Sequence, residues 1–260
     1  MAIRTNEMRA AMQAGRLAVG FGVNRWRSVD AGGIAKSAGY EWLFLDLEHS
    51  VLSEETASQI SVAALSAGVT PVARVGTDQF YQAARLLDAG AQGIVFPHVD
   101  DARRARLAAL ATKYPPLGSR SLTGPLAQAE FANVANPEAM AALNRETLTI
   151  VMIETKQALG NAAEIARVEG VDALLIGTND LAADLGIPGQ LGDARIAEAY
   201  AAVAQACKGA GRFFGMGGVY SKDLIRKYLK SGVQFMLGGA DVGFVIEGAK
   251  ARREMIRGAA

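Results

Sequence analysis

The sequence predicts an α/β protein folded as a single (β/α)8 TIM barrel, on three observations. Short apolar runs alternate with amphipathic helical stretches along the chain, the pattern of repeated βαβ units around a parallel sheet. Eight such runs fall within 260 residues, which favours closure into a barrel over an open sheet. The first run is not followed by the Gly-x-Gly-x-x-Gly turn of a doubly wound sheet, and no linker or low-complexity segment marks a second domain.

Strands are expected at residues 18–23, 42–46, 71–75, 93–96, 148–153, 173–176, 214–216 and 235–238. Each is apolar and bounded by glycine or polar residues, as a strand covered on both faces is. Helices are expected at 54–68, 79–90, 101–112, 194–211 and 222–232. Gly68, Gly90 and Gly232 close three of them, where a left-handed residue ends a helix. Ser53 opens Ser-Glu-Glu-Thr, an N-cap followed by acid in the first turn. The rhythm breaks within 97–147, where Pro115, Pro116, Gly118, Gly124 and Pro125 oppose a helix. A loop over about 114–136 is therefore expected, placed at the catalytic rim because it follows the fourth strand. The run 242–257 has a helical pattern of apolar and basic residues, suited to docking on a neighbouring copy or on its own barrel.

Composition narrows the function classes. Half the residues are hydrophobic, a fifth are charged and the net charge is +1. No basic stripe or aromatic platform points to nucleic acid. No apolar stretch is long enough for a membrane span, and the polar start of the chain lacks the pattern of a secretory signal. A single cysteine, Cys207 in a small-residue helical run, is consistent with a reducing compartment. The expectation is a cytoplasmic protein with small-molecule partners.

In such a barrel, reactive side chains stand at the C-terminal ends of strands. The second strand runs into Leu47, Glu48 and His49; the third ends at Arg74; the fifth reaches Glu154; the sixth leads to Thr178, Asn179 and Asp180. A lone histidine often caps a helix, but His49 follows an apolar strand and two acids, which favours proton transfer. Arg74 sits in Pro-Val-Ala-Arg-Val, where its charge needs a partner: a structural carboxylate or a substrate oxyanion. Glu154 and Asp180 could each simply serve a helix N-terminus. On adjacent strand ends they also repel, unless a hard divalent cation lies between them. The lysines fall in helical or loop stretches, and only Lys156 comes near the rim, so an imine mechanism is disfavoured against metal-stabilised enolate chemistry. His98 reads as a packed or loop histidine.

Taken in order, WLFLDLEHS, PVARVG, LLDAGAQGIVFPHV, KYPPLGSR, VMIETKQAL, VEGVDALLIGTNDLAADLG and YLKSGVQFML resemble the HpcH/HpaI family of class II pyruvate aldolases. The resemblance implies metal-dependent aldol cleavage or condensation of a 4-hydroxy-2-oxoacid, giving pyruvate or a close 2-oxoacid plus an aldehyde. It implies that Glu154 and Asp180 bind the cation (Mg²⁺, Mn²⁺ or Co²⁺), that Arg74 holds the keto oxygen, and that His49 moves protons with Asp46 near enough to orient it. Asp88 matches an aspartate that pairs with that histidine across a subunit interface. Backbone amides around Gly177, Thr178, Asn179 and Asp180 would receive the carboxylate. A homohexamer, as a trimer of dimers whose last helices exchange, is also implied.

The chain departs from the pattern at several places. Met152 stands where glutamine precedes the metal-binding glutamate by two residues, Leu47 replaces a glycine, and Asn179 replaces a small residue. Arg120, in a segment that differs from the pattern, is either an anchor for an acidic acceptor or a solvated surface arginine. Three rival readings stand beside the aldolase. One is an acyl-CoA-type lyase of the citrate-lyase β branch. Another is a phosphate-handling barrel, from Gly217, Gly218, Gly238 and Gly239. The last is a catalytically weak 2-oxoacid-binding barrel, from Met152.

Overall fold

A computed structural model describes residues 3–133 and 136–259. The first half of the chain contains α1 (Glu7–Gln13), β1 (Ala18–Val23), α2 (Ala31–Ser37), β2 (Trp42–Asp46), α3 (Glu54–Ala67), β3 (Thr70–Arg74), α4 (Phe80–Asp88), β4 (Gly93–Phe96) and α5 (Ala102–Thr112). A 3₁₀ turn at Ala127–Ala129 precedes α6 (Pro137–Glu146), β5 (Leu148–Ile153), α7 (Lys156–Gly160), α8 (Ala162–Arg167), β6 (Ala173–Gly177) and α9 (Thr178–Asp184). The chain ends with α10 (Ala194–Ala210), β7 (Phe213–Gly217), α11 (Lys222–Leu229), β8 (Phe235–Ala240) and α12 (Asp241–Gly258). The strands pair in sequence order, all parallel, and β8 closes on β1. The predicted barrel is confirmed, with strand ends moved by a residue or two.

Side-chain alternation along each strand decides what faces the barrel axis. Trp42, Phe44, Val72, Val95, Leu148, Ile150, Met152, Leu175 and Phe235 form the interior cluster. The intervening residues, such as Leu43, Leu45, Ile94, Val151, Leu174 and Met216, pack outward under the helices. Continuing the inward parity to the strand ends places Asp46, Arg74, Glu154 and Gly177 at the mouth. In the interior, large residues meet small ones: a Cβ on Gly20 would lie 2.3 Å from the Trp42 ring, and one on Gly215 would lie 2.1 Å from Phe235.

The N-terminal end of the barrel is shut by α1. Asn6 caps that helix, its side chain accepting from Arg9 N–H at 2.9 Å, while Met8, Ala11 and Met12 pack into the interior cluster. At the same end a charged pair is buried. Lys113 Nζ donates to Asp172 Oδ2 at 2.7 Å and to the carbonyls of Thr147 and Asn144, and Arg9 donates to Asp172 Oδ1 at 2.6 Å. Burial raises the Asp172 carboxyl, but Lys113 and Arg9 outweigh it and hold the carboxyl below its usual range. Burial draws the Lys113 ammonium down. Two cations thus meet on one carboxylate, and two carbonyls accept from the ammonium.

Two expectations are corrected here. Residues 114–133 do not sit at the catalytic rim. The first of these follow α5, which has already carried the chain back to the end where strands begin. Gln128 there binds the carbonyls of Leu87 and Ala91 and accepts from Arg4 N–H. Val134 and Ala135, also in that expected loop, lie outside the described residues. Secondly, the irregular stretch contains α6, opened by Asn136, whose side chain accepts from Ala139 N–H at 2.9 Å, with Pro137 in the first turn.

The last helix, α12, runs where a helix over 242–257 is expected, and Asp241 is its only fully buried residue. Phe244 packs on Phe21, with ring centroids 4.9 Å apart, while Val245, Ile246, Met255 and Ile256 are exposed. No helix among the described residues is long and apolar enough to cross a membrane.

Candidate active site

Adjacent strands set the central ion pair: Asp46 and Arg74 are register partners at the ends of β2 and β3. Arg74 donates from Nε to Asp46 Oδ1 at 3.0 Å and from Nη2 to Asp46 Oδ2 at 2.7 Å, a two-pronged contact. Its Nη1 lies 3.0 Å from Glu48 Oε2, and its plane lies over the Phe44 ring. Burial raises the Asp46 carboxyl, but Arg74 and the backbone N–H groups of His49 and Glu48 outweigh it, so the carboxyl is held below its usual range. Of five guanidinium N–H groups, two bond Asp46 and Glu48 lies beside Nη1, so N–H groups remain for another oxygen.

Glu154 is buried at the end of β5, and its Oε2 accepts from His98 N–H at 2.8 Å. Burial pushes its carboxyl up to about 7; nearby Asp180 and Glu48 add to the rise against the opposing His98. Gly177 makes room for it, since a Cβ there would lie 2.5 Å from Glu154 Oε1. No group of three or more His, Cys, Asp or Glu arranged to hold a metal occurs among the described residues. What the chain offers is an oxygen pair, Glu154 and Asp180, whose mutual repulsion a hard divalent cation relieves while leaving positions for water and substrate. The residues therefore fit such a cation. Gly177→Ala is expected to displace Glu154 and weaken Mn²⁺ binding by more than about tenfold, at about 1–3 kcal/mol of stability. Water-proton relaxation titrations check this, and an unchanged affinity would refute the steric argument.

These groups surround a cavity of about 240 Å³ lined by Asp46, His49, Arg74 and residues 177–180, with Phe44, Met152, Leu175 and Leu237 as its apolar part. Most of the predicted residues therefore converge, with Glu154 just beneath. The His49 ring is exposed, and Glu48 Oε2 lies 3.8 Å from its Nε2. Asp46 accepts from the His49 backbone N–H, and its carboxylate clamps Arg74 instead of the imidazole. The Thr178 hydroxyl faces away, to Gly217 O and Tyr200.

Asp88 is not in this cavity. It ends α4 at the opposite end of the barrel and pairs with Arg120 at 2.6 Å. Arg120 is itself buried over the Tyr114 ring, and so is neither an anchor in this site nor a solvated residue.

Three residues were missed by the sequence reading. Glu48 was passed over for its neighbour His49. His98 bridges two acids, with Nδ1 3.6 Å from Glu154 and Nε2 3.8 Å from Glu48, on a left-handed backbone with φ 51°. Its place just after β4, at the mouth, was the available signal. Asn24, after β1, donates to Asp46 Oδ2 at 3.0 Å and gave no signal of its own.

Comparisons with known proteins place the chain among its relatives. A family profile described as HpcH/HpaI aldolase/citrate lyase matches residues 29–248. The 4-hydroxy-4-methyl-2-oxoglutarate aldolase cghB of Chaetomium globosum is 38% identical over 238 residues, 89% of this chain and 88% of that protein. A hydroxypyruvate/pyruvate aldolase of Sagittula stellata is 34% identical, across 97% of this chain and 98% of that one. The crystal structure of an HpcH/HpaI aldolase from Desulfitobacterium hafniense superposes with a TM-score of 0.89 at 28% identity, covering 96% of both chains. With a profile over residues 29–248 and relatives matched over most of their length, the chain belongs to the HpcH/HpaI aldolase/citrate lyase family.

Proposed function

We propose that this chain is a carbon–carbon lyase that cleaves a 4-hydroxy-2-oxoacid to pyruvate, or a close 2-oxoacid, and an aldehyde, and condenses them in reverse. The observation that carries it is an arginine, held by Asp46 with N–H groups to spare, beside a buried glutamate at one small cavity, in a chain whose relatives are named aldolases. The family is generally divalent-metal-dependent. Glu154 and Asp180 would hold Mg²⁺, Mn²⁺ or Co²⁺, which when bound supplies a Lewis acid toward the oxoacid oxygens.

The protein's own groups do the rest. Arg74, fixed by Asp46 and Glu48, directs its remaining N–H groups at the keto oxygen, where negative charge develops. Amides of residues 177–180, at the start of α9, take the carboxylate. In cleavage, His49 accepts the proton of the C4 hydroxyl and the C3–C4 bond breaks. The aldehyde departs, and the electron pair enters the 2-oxoacid as its enolate, whose oxygen Arg74 hydrogen-bonds. The proton that His49 took is passed to C3, which completes the methyl group and restores the base. Condensation reverses these steps. Asp88 can assist His49 only from a second copy, so a homo-oligomer, a hexamer built as a trimer of dimers, belongs to this reading; the exposed apolar residues of α12 support it.

Proton NMR of pyruvate in D₂O tests the half-reaction without a choice of aldehyde. Metal-stripped protein should leave the methyl signal intact, and added Mg²⁺, Mn²⁺ or Co²⁺ should bleach it. A folded protein that exchanges no 2-oxoacid with any of these ions would sink the proposal.

A further inference from the structure

We propose that Asp241, the first residue of α12, is a positioning residue for the aldol reaction, acting through the β1–α2 loop on Asp46 and Arg74. This rests on the aldolase reading above. Asp241 is fully buried although the helix it opens is largely exposed. A carboxylate so placed is expensive unless it is fully hydrogen-bonded. Its Oδ2 accepts three successive backbone N–H groups, from Asn24 at 3.0 Å, Arg25 at 2.8 Å and Trp26 at 2.8 Å. Its Oδ1 accepts from Val242 N–H at 2.8 Å. Three consecutive amides turned toward one point form an anion-binding concavity, and here the chain fills it with its own side chain.

The loop so gathered begins one residue past the end of β1, where the ladder no longer fixes the backbone. Its first residue, Asn24, lines the cavity and donates from Nδ2 to Asp46 Oδ2, the oxygen that also accepts Arg74 Nη2. A continuous path therefore runs from the helix start to the guanidinium: Asp241 to the loop amides, the Asn24 side chain to Asp46, Asp46 to Arg74. One Asp241 oxygen would suffice to serve its own helix. The other is given entirely to the loop, and the loop's contribution to the mouth is Asn24. Removing either link leaves Asp46 its remaining donors, so Arg74 stays paired but loses its defined direction toward the keto oxygen.

The test compares wild type, Asp241→Asn, Asn24→Ala and the double variant, each well below its melting temperature. Asp241→Asn keeps the volume but sets an NH₂ group against backbone donors. The readouts are kcat and KM for pyruvate methyl exchange, and acrylamide quenching of Trp26, since Trp42 is fully buried. Each single variant is expected to lose about 10- to 100-fold in kcat, with a smaller change in KM. The double variant should be no slower than the worse single within about twofold, because both act on one path. Quenching should rise in Asp241→Asn and hold steady in Asn24→Ala.

A folded Asp241→Asn with wild-type kcat, or losses that multiply in the double variant, overturns the proposal. If Asp241→Asn does not fold, Asn24→Ala alone decides, and an unchanged kcat overturns it. A wild type silent toward every 2-oxoacid overturns the aldolase reading and this role with it. An active wild type with equally active variants overturns this role alone.

Discussion

Glu154→Gln is expected to abolish metal-dependent exchange of the pyruvate methyl protons while leaving the barrel folded. Glutamine keeps the volume at a buried position and can still accept the His98 N–H, so the packing is retained. What is lost is one of two anionic oxygen donors. Electrostatic stabilisation of several kcal/mol disappears with it, about 10³-fold in rate. Stability should move the other way in metal-stripped protein. Burial pushes the folded carboxyl up to about 7, above the ordinary 4.5, so its ionisation opposes folding. Wild-type stability therefore falls as pH rises from about 4.5 through 7, and the variant should melt at or above wild type at pH 8. Retained exchange, or a variant that melts well below wild type at that pH, would contradict this account.

The largest loss of stability is expected at the other end of the barrel. Asp172→Ala leaves Lys113 and Arg9 facing each other without a counter-charge, and Lys113 is 2% exposed. Breaking a buried pair by removing one partner costs about 3–5 kcal/mol, which in a chain of this size lowers the melting temperature by roughly 10 °C. Because the pair lies away from the mouth, kcat of the folded variant should match wild type. Calorimetry together with the NMR exchange assay tests both halves. A melting temperature within a couple of degrees of wild type would show the pair to be dispensable.

How far the sequence could be read depended on which residues obey strand alternation. The eight strands were legible because each is apolar on both faces, and Arg74 and Glu154 were legible because a charged side chain ending such a run has to face the mouth. Asp46 was found too, yet its duty toward Arg74 was not, because two-residue alternation predicts direction and says nothing about partners. His98, Glu48 and Asn24 stand one or two residues past a strand end, where alternation lapses; the left-handed turn at His98 is invisible in composition. Residues 114–133 lie away from the mouth for a different reason. Their proline and glycine content was read correctly, but α5 turns the chain around before they begin.

The clamp on Arg74 also has a consequence for affinity. Asp46 and Glu48 flank the Arg74 charge, and Asp180, with Glu154 as it ionises near pH 7, adds further negative charge at the same mouth. An incoming oxoacid is itself an anion, so it meets net repulsion until those acids are compensated. A cation held by Glu154 and Asp180 would offset that charge, so 2-oxoacid affinity is expected to rise when the cation is present. Equilibrium dialysis of pyruvate should therefore find tighter binding with Mn²⁺ than in metal-stripped protein, and equal affinity in both would contradict this.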